Sequence, residues 1–231
     1  MTRRFTSLLA LLLLGACAQA NVAPLATPAP GQPAAERLPA PAQIVVERFA
    51  LDPSQVTLDG APLLRARRAM DGNDGAARRT AAEEAIAGFQ GALVTALRER
   101  GFAAVPATEA GPATPRLLVR GRFSALEEGN RARRAVVGFG LGASRVAGTA
   151  ELAFLDPATA APRVVDGFAL DADSGRMPGG VLGAGRGAGL VVAGTAIRGA
   201  MGKARGPQEI GALARGTADR IVAYATAQGW R

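Results

Sequence analysis

The chain contains no histidine, and Cys17 is its only cysteine. The absence of histidine removes the most common general base and the usual side-chain ligand of transition metals. It also excludes Ser-His-Asp and Cys-His arrangements, because both need an imidazole to activate the nucleophile. A single cysteine allows no disulfide within the chain. We therefore predict that the protein is not an enzyme and that it holds no metal ion.

Other catalytic and cofactor-binding patterns are equally poorly represented. Lys203 is the sole lysine, and it follows a glycine-rich run with no serine at a fixed spacing, which argues against a Ser-Lys site. The carboxylates of Glu83-Glu84 and Glu127-Glu128 are sequence neighbours that can point in different directions, so their spacing defines no acid-base pair. The glycine-rich runs near 138–142 and 183–189 match neither a dinucleotide fingerprint nor a P-loop. We expect no cofactor.

The N-terminus has the pattern of an export signal. Arg3 and Arg4 form a short positive region, and residues 7–16 form an apolar stretch. Ten residues are far fewer than the ~20 that a membrane span needs, so this stretch indicates a signal rather than a permanent anchor. We predict a signal peptide over residues 1–16.

The single cysteine closes that signal in the run Leu14-Gly15-Ala16-Cys17. This run resembles the lipobox of bacterial lipoproteins, in which cleavage occurs before the cysteine and the sulfur becomes acylated. The alternative is an ordinary secretory signal in which the cysteine falls by chance. By analogy with lipoprotein sorting in Gram-negative bacteria, alanine at position 18 favours the outer membrane over the inner one. We predict a lipid anchor at Cys17 and a location on the periplasmic face of the outer membrane.

The charge balance is positive, at +8 for the whole chain. Removal of residues 1–16, which hold two arginines and no acids, would leave +6. Eight phenylalanines, one tyrosine and one tryptophan offer few stacking platforms, and the inferred compartment also argues against nucleic acid. The remaining interpretations are a compositional bias towards arginine and attraction to anionic envelope surfaces, such as phospholipid head groups or lipopolysaccharide. We predict no nucleic-acid partner.

Composition divides the chain into a linker and a single domain. Residues 17–42 hold the acylated cysteine and then a stretch of alanines with few charges and six prolines: Pro24, Pro28, Pro30, Pro33, Pro39 and Pro41. Such a stretch favours extended polyproline II conformations and predicts a flexible tether or a disordered leader. Residues 43–231 have the length of one domain.

Hydrophobic periodicity within residues 43–231 predicts strands and helices. Strands are predicted at 43–51, 102–106, 116–126, 146–156 and 163–170, where β-branched residues and alternation occur. One face of strand 116–126 is predicted to hold Val119, Gly121, Phe123 and Ala125, and one face of strand 146–156 to hold Val146, Ala150, Leu152 and Phe154.

Two helices are predicted. The first begins at a capping box of Thr80 and Glu83 and ends at Gly101, and its apolar face holds Ala82, Ile86, Phe89, Leu93 and Leu97. The second begins at Pro207 and ends at Gly229 and Trp230. Residues 52–79 predict a loop with a short helix at 62–70. The order indicates an α+β two-layer sandwich, a mostly antiparallel sheet covered on one face by two main helices.

Residues 179–202 form the most unusual stretch, which is apolar and rich in small residues. Gly185, Gly189 and Ala193 recur every four residues, a spacing that allows close approach of helix backbones. Arg186 and Arg198 leave only eleven uncharged residues between them, far fewer than a membrane span needs. Packing against the sheet, a loop, peripheral membrane contact and self-association all stay open.

The centre of the chain resembles a known family signature. A Gly129-Asn130 turn and Arg134 precede a short apolar run with glycines at positions 138, 140 and 142, and a strand ending at Asp156 follows. The pattern is similar to that of bacterial domain-of-unknown-function family 4410, whose members are mostly small lipoproteins. The resemblance implies an envelope location and a two-layer fold, and it implies Gly129, Asn130, Arg134, Gly138, Gly140 and Gly142 as family motif positions. It brings no catalytic residues.

These observations predict a membrane-anchored periplasmic lipoprotein that acts as a non-enzymatic interaction or accessory module of the cell envelope. Its partners would be the membrane, through the lipid anchor, and an envelope protein or glycan. The alternative is a membrane-active or self-assembling envelope component that uses residues 179–202.

Overall fold

The computed structural model describes residues 19–25, 37–59, 62–112, 115–128, 144–156, 158, 161–173 and 208–230. The predicted signal peptide, Cys17, the six motif positions and residues 179–202 lie outside the described residues. The strands are β1 (Gln19–Pro24), β2 (Gln43–Val46), β3 (Val56–Thr57), β4 (Ala104–Pro106), β5 (Arg116–Glu127), β6 (Arg145–Leu155) and β7 (Arg163–Asp173). The helices are α1 (Pro62–Asp71), α2 (Asp74–Glu99) and α3 (Gln208–Gln228).

The strands form one seven-stranded sheet in the order β1-β7-β6-β5-β2-β4, with β3 also paired to β5. The long strands β5, β6 and β7 follow one another in the sequence and pair antiparallel, as predicted. The short strand β2 runs parallel to both β4 and β5. A mixed, mostly antiparallel sheet with three described helices is an α+β fold, which confirms the predicted class.

The core lies between the sheet and the helices α2 and α3. These helices pack on each other, α2 also contacts β2 and β4, and α3 contacts β1, β6 and β7. Phe89 of α2 is fully buried, and its ring lies 4.7 Å from that of Phe49 and 5.2 Å from that of Phe123 on β5. Edge-to-face and tilted aromatic contacts of this kind add about 0.5–1.5 kcal/mol each beyond area burial. This cluster fixes the position of α2 on the sheet.

The start of α2 differs from the sequence prediction. The helix begins at Asp74 rather than at the predicted capping box of Thr80, so residues 74–79 are helical instead of a loop. Gly72, with φ of +61°, and Asn73 make the turn from α1, and glycine reaches this left-handed conformation without strain. A two-residue turn therefore suffices where the sequence indicated a longer loop.

The ends of α2 and α3 agree with the prediction. Gly101 has φ of +82°, and the amides of Gly101 and Phe102 donate to the carbonyls of Arg98 and Leu97. Such a pair of bonds is the Schellman motif, in which a glycine follows the helix. Gly229, with φ of +76°, ends α3 in the same way.

Strand β5 contains a bulge that changes which residues face the core. Gly121 and Phe123 face it as predicted, but the register shifts between Phe123 and Ala125. An extra residue reverses the alternation beyond it, so Leu126 is buried and Ala125 is not, contrary to the predicted pattern.

Strand β1 lies inside the segment that the sequence predicted to be a tether. It pairs antiparallel with β7 along its whole length, and Val22 packs against α3 beside Gly216. The prediction rested on local composition, whereas this strand owes its conformation to an edge of the sheet formed far along the chain. Residues 26–36 of the predicted linker lie outside the described residues.

Candidate functional site at the motif end of the sheet

The strand register brings several chain segments to one end of the sheet. Gln19 pairs with Asp173, Asp173 with Arg145, Arg145 with Glu127, and Glu127 with Thr57. These five residues form one row across β1, β7, β6, β5 and β3. We call this the motif end, because the connection that carries the family motif leaves the sheet here.

Both long connections outside the described residues have their flanks at the motif end. The motif connection leaves after Glu128 and returns at Ser144, and the connection containing residues 179–202 leaves after Asp173 and returns at Gln208. The Ser144 hydroxyl donates to a carboxylate oxygen of Glu209 at 2.7 Å, and both side chains are buried. This bond ties the start of β6 to the first turn of α3. Gln19, two residues after the predicted anchor in the sequence, begins β1 in this same row.

A cleft of about 350 Å³ opens at the motif end, between the start of α2 and the ends of β3 and β5. Its polar lining comes from Arg68 of α1, Asn73, Thr80 and Glu84 near the start of α2, and Glu128 just after β5. Leu58 and three alanines of α2 supply the apolar part. The volume falls within the range of small-molecule sites, about 300–1,000 Å³.

Hydrogen bonds hold the cleft's charged side chains in place. Arg68 donates through Nη2 to the backbone carbonyl of Asp59 at 2.7 Å and through Nε to Asp74 at 3.1 Å. Glu128 accepts from the amide of Asp59 at 3.0 Å, and its own amide donates to Thr57 at 3.0 Å. A fixed guanidinium beside carboxylates, an amide and a hydroxyl suits recognition of a polar group by hydrogen bonding.

In the described part of the chain, the cleft brings the carboxylates of Glu84 and Glu128 together with the guanidinium of Arg68. No group of three or more potential metal-ligating side chains occurs among those residues. Arg68 and Glu128 are already engaged with backbone groups that fix the cleft's walls.

Around the motif end, the sheet face that points away from the core is polar, and ion pairs cross this face between neighbouring strands. Nη2 of Arg145 lies 2.5 Å from Oδ2 of Asp171. Nε of Arg120 lies 2.5 Å from Oε1 of Glu151, its register partner across β5 and β6. The hydrogen bond and charge of Asp171 raise the pKa of Arg145, with a smaller contribution from Glu127. These exposed pairs contribute little to stability, about 0–1 kcal/mol each.

The carboxylate pairs singled out in the sequence have separate roles. Glu83 forms an exposed ion pair with Arg48, while Glu84 lines the cleft. Glu127 lies in the end row, and Glu128 closes the cleft against the loop after β3. Glu84 and Glu128, one from each pair of neighbours, therefore line the same cleft. Sequence reasoning missed Arg68, whose position depends on the two-residue turn between α1 and α2.

The described residues define an α+β domain with a small, open cleft of mixed polar and apolar lining beside a strand connection. The chain belongs to the family described as "Domain of unknown function (DUF4410)", whose family model matches residues 44–190. This confirms the predicted family. The matched range includes all six motif positions and stops within residues 179–202.

Two solved structures of the PelC dodecamer from Paraburkholderia phytofirmans, one of them of a point variant, are similar to this chain. Each is 15% identical to this chain, and the matched region covers 67% of this chain. The match covers 79% of the variant's chain with a TM-score of 0.29, and 80% of the other structure's chain with a TM-score of 0.30. Similarity at this level carries no argument about assembly or function. No curated protein matches the chain. Among the described residues, no helix is both long enough and apolar enough to cross a membrane.

Proposed function

We propose that this chain is a lipid-anchored protein of the Gram-negative cell envelope, held at the periplasmic face of the outer membrane. The main observation that supports this proposal is the lipobox-like run that ends at Cys17, the single cysteine. One acyl chain gives only marginal binding, at about 0.8 kcal/mol per buried CH₂, but the several chains of a lipoprotein cysteine anchor stably. Ala18 supports the outer membrane as the destination.

The domain itself acts as a non-enzymatic interaction module, with α2 and α3 covering one face of its sheet. The support for this role is the chemistry of the cleft, where Arg68, Thr80 and Glu84 offer hydrogen bonds. The chain also lacks histidine, the most common general base. An envelope protein or a glycan with exposed hydroxyl and charged groups fits such a cleft.

Photo-crosslinking at the cleft tests the interaction role. A photoreactive residue replaces Thr80, which is exposed and lines the cleft, or Thr95, an exposed threonine fifteen positions further along α2. At 1.5 Å per residue, the two sites are about 22 Å apart on the same helix. We expect a specific envelope protein or glycan adduct from position 80 and none from position 95. The same adducts at both positions, or turnover of an envelope substrate by the pure protein, would contradict the role.

The alternative role, a membrane-active or self-assembling component, depends on residues 179–202. Both flanks of the connection that contains them, Asp173 and Gln208, are at the motif end, where β1 begins. Liposome leakage and solution size, each measured with and without these residues, test this role. Unchanged leakage and size would remove it.

A further inference from the structure

The charged side chains that line the cleft differ in how far they are already engaged. Arg68 donates to the carbonyl of Asp59 and, at 3.1 Å, to the carboxylate of Asp74, so its charge is largely balanced within the domain. Glu84 forms no hydrogen bond or ion pair with any other residue that the structure describes. The Glu84 carboxylate is therefore the charged group that the cleft offers to a partner.

A second carboxylate adds negative charge to the opposite wall of the cleft. Oε2 of Glu128 accepts from the amide of Asp59 at 3.0 Å, which holds this side chain at the cleft. With the single guanidinium of Arg68, the two carboxylates give the described lining a net charge of −1, whereas the whole chain carries +8. Such a cleft favours a ligand with a cationic group, because like charges that face each other oppose binding.

The apolar part of the lining indicates what carries the cationic group. Leu58 and Ala81 are half-buried and pack against the core, and Ala76 and Ala77 are half-buried beside them on α2. Lysine and arginine cover such surfaces with their methylene groups while the charged head stays in a polar environment. A sugar ring carries hydroxyl groups around its edge, and covering this surface would take hydroxyls from water without giving them partners.

The apolar and charged parts follow one another along one face of α2. Ala77 lies seven residues before Glu84, which is two helical turns, or about 10 Å at 1.5 Å per residue. Thr80 and Glu84, four residues apart, are neighbours on this face, and the Thr80 hydroxyl can accept a hydrogen bond from a cationic head. A long basic side chain that lies along this face therefore meets alanines first and the carboxylate last.

We propose that the cleft binds a lysine or arginine side chain of an envelope protein, with the cationic head at Glu84 and Thr80 and the alkyl stem over the alanines of α2. This inference rests on the proposed interaction role of the cleft, and it selects a protein rather than a glycan as the ligand. Close charge pairs across protein interfaces are worth about tenfold in affinity or more. Loss of the Glu84 charge should therefore weaken binding about tenfold.

Ligand-observed NMR titrations of the full-length protein in detergent micelles test the ligand chemistry with three probes. Acetyl-arginine amide carries the stem and the cation, acetyl-citrulline amide has nearly the same shape without the charge, and glucosamine carries an ammonium group on a sugar ring. We expect acetyl-arginine amide to bind about tenfold more tightly than either of the others. No binding of acetyl-arginine amide, equal binding of the citrulline probe, or tighter binding of glucosamine would overturn the proposal.

Two neighbouring glutamates provide matched variants for these titrations. Glu84→Gln removes the charge from the cleft, whereas Glu83→Gln removes the same charge from the next residue, which pairs with Arg48 and does not line the cleft. Both glutamates are exposed, so neither substitution disturbs the core. Glu84→Gln should weaken acetyl-arginine amide about tenfold and leave acetyl-citrulline amide unchanged, and Glu83→Gln should change neither. Equal effects of the two variants would refute the role of Glu84.

A second pair of variants tests the stem. Ala77→Leu fills the apolar part of the cleft and should weaken the arginine and citrulline probes alike. Ala87→Leu adds the same side chain at an exposed position of α2 outside the described lining and should change neither. Unchanged binding of acetyl-arginine amide to the Ala77→Leu protein would contradict the placement of the stem.

Photo-crosslinking from position 80 separates a failure of this inference from a failure of the proposed interaction role. A protein adduct that forms equally well with Glu84→Gln, or a glycan adduct, refutes the basic side chain and leaves the role intact. If no adduct forms although acetyl-arginine amide binds and depends on Glu84, the interaction role fails, while the preference of the cleft for a basic side chain stands.

Discussion

Replacing Val22 by aspartate tests whether β1 is a fixed strand of the domain or part of a flexible tether. Val22 lies in the middle of β1, where its Cγ2 is 3.1 Å from the position that a Cβ on Gly216 would occupy. Its side chain is half-buried between the sheet and α3 and packs against the core. A charge there must be taken from water into an apolar contact.

The cost follows from these contacts. Full burial of a valine side chain is worth about 1.5–3 kcal/mol, so half-burial contributes about 1 kcal/mol. An unpartnered polar group adds about 1–3 kcal/mol, which brings the total to about 2–4 kcal/mol. Because an edge strand can detach while the rest stays folded, the loss is confined to the docking free energy of β1.

Hydrogen exchange of the peptide that contains β1 measures this loss directly. In the unsubstituted protein, the β1 amides that bond to β7 should be protected, and Val22→Asp should speed their exchange by about 30- to 1,000-fold. Asn21→Lys is the matched control, because Asn21 is exposed and pairs with Asp171 on the polar face. Unprotected exchange in the unsubstituted protein would refute the assignment of β1 and restore the tether.

Three further outcomes concern the core and its buried polar groups. Gly121→Ala would place a Cβ 2.3 Å from a carbonyl oxygen of β6 and should lower the unfolding free energy by about 1–3 kcal/mol. Gly91→Ala, in contrast, has open space on α2 and should raise the unfolding free energy by up to about 1 kcal/mol. Urea titration measures both changes. Burial, helped by a nearby aspartate, raises the pKa of Tyr224 above its ordinary value of 10.0. Burial of the neutral Tyr224 side chain contributes fully to stability below the pKa of the unfolded state, and this contribution is lost as pH rises through the pKa of the folded state. Ultraviolet titration of Tyr224, the only tyrosine in the sequence, should show a midpoint above 10.0, and an unshifted midpoint would contradict the raised pKa. Glu209→Ala removes the hydrogen bond that the Ser144 hydroxyl donates to the first turn of α3 and should lower the unfolding free energy by about 1–3 kcal/mol in urea titrations; no change would mean that this bond does not hold α3.

Periodic patterns predicted the elements whose conformation is set by their own residues. The spacing of Ile86, Phe89, Leu93 and Leu97 indicated one face of α2, and all four side chains are buried. Alternation on β6 likewise predicted the burial of Val146, Ala150, Leu152 and Phe154. In both cases one apolar stripe faces one core, so local sequence carries the information.

Elements that depend on distant partners could not be predicted in this way. The sequence of β1 is short and ends in proline, and its strand conformation comes from β7. The parallel pairing of β2 with β5 depends on the crossover through α2 rather than on any local pattern. The cleft combines Arg68 and Glu128, which are far apart in sequence and meet only because β3 pairs with β5. Pairings of this kind are properties of the assembled sheet.

Intact-mass analysis and membrane fractionation of the full-length protein, made in a Gram-negative host with and without Cys17→Ala, test the central claim most directly. We predict that the unsubstituted protein begins at Cys17, carries acyl groups and fractionates with the outer membrane. The Cys17→Ala protein should lack acyl groups and leave that fraction. An unmodified Cys17, or an unchanged outer-membrane fraction after the substitution, would contradict the lipid-anchored role.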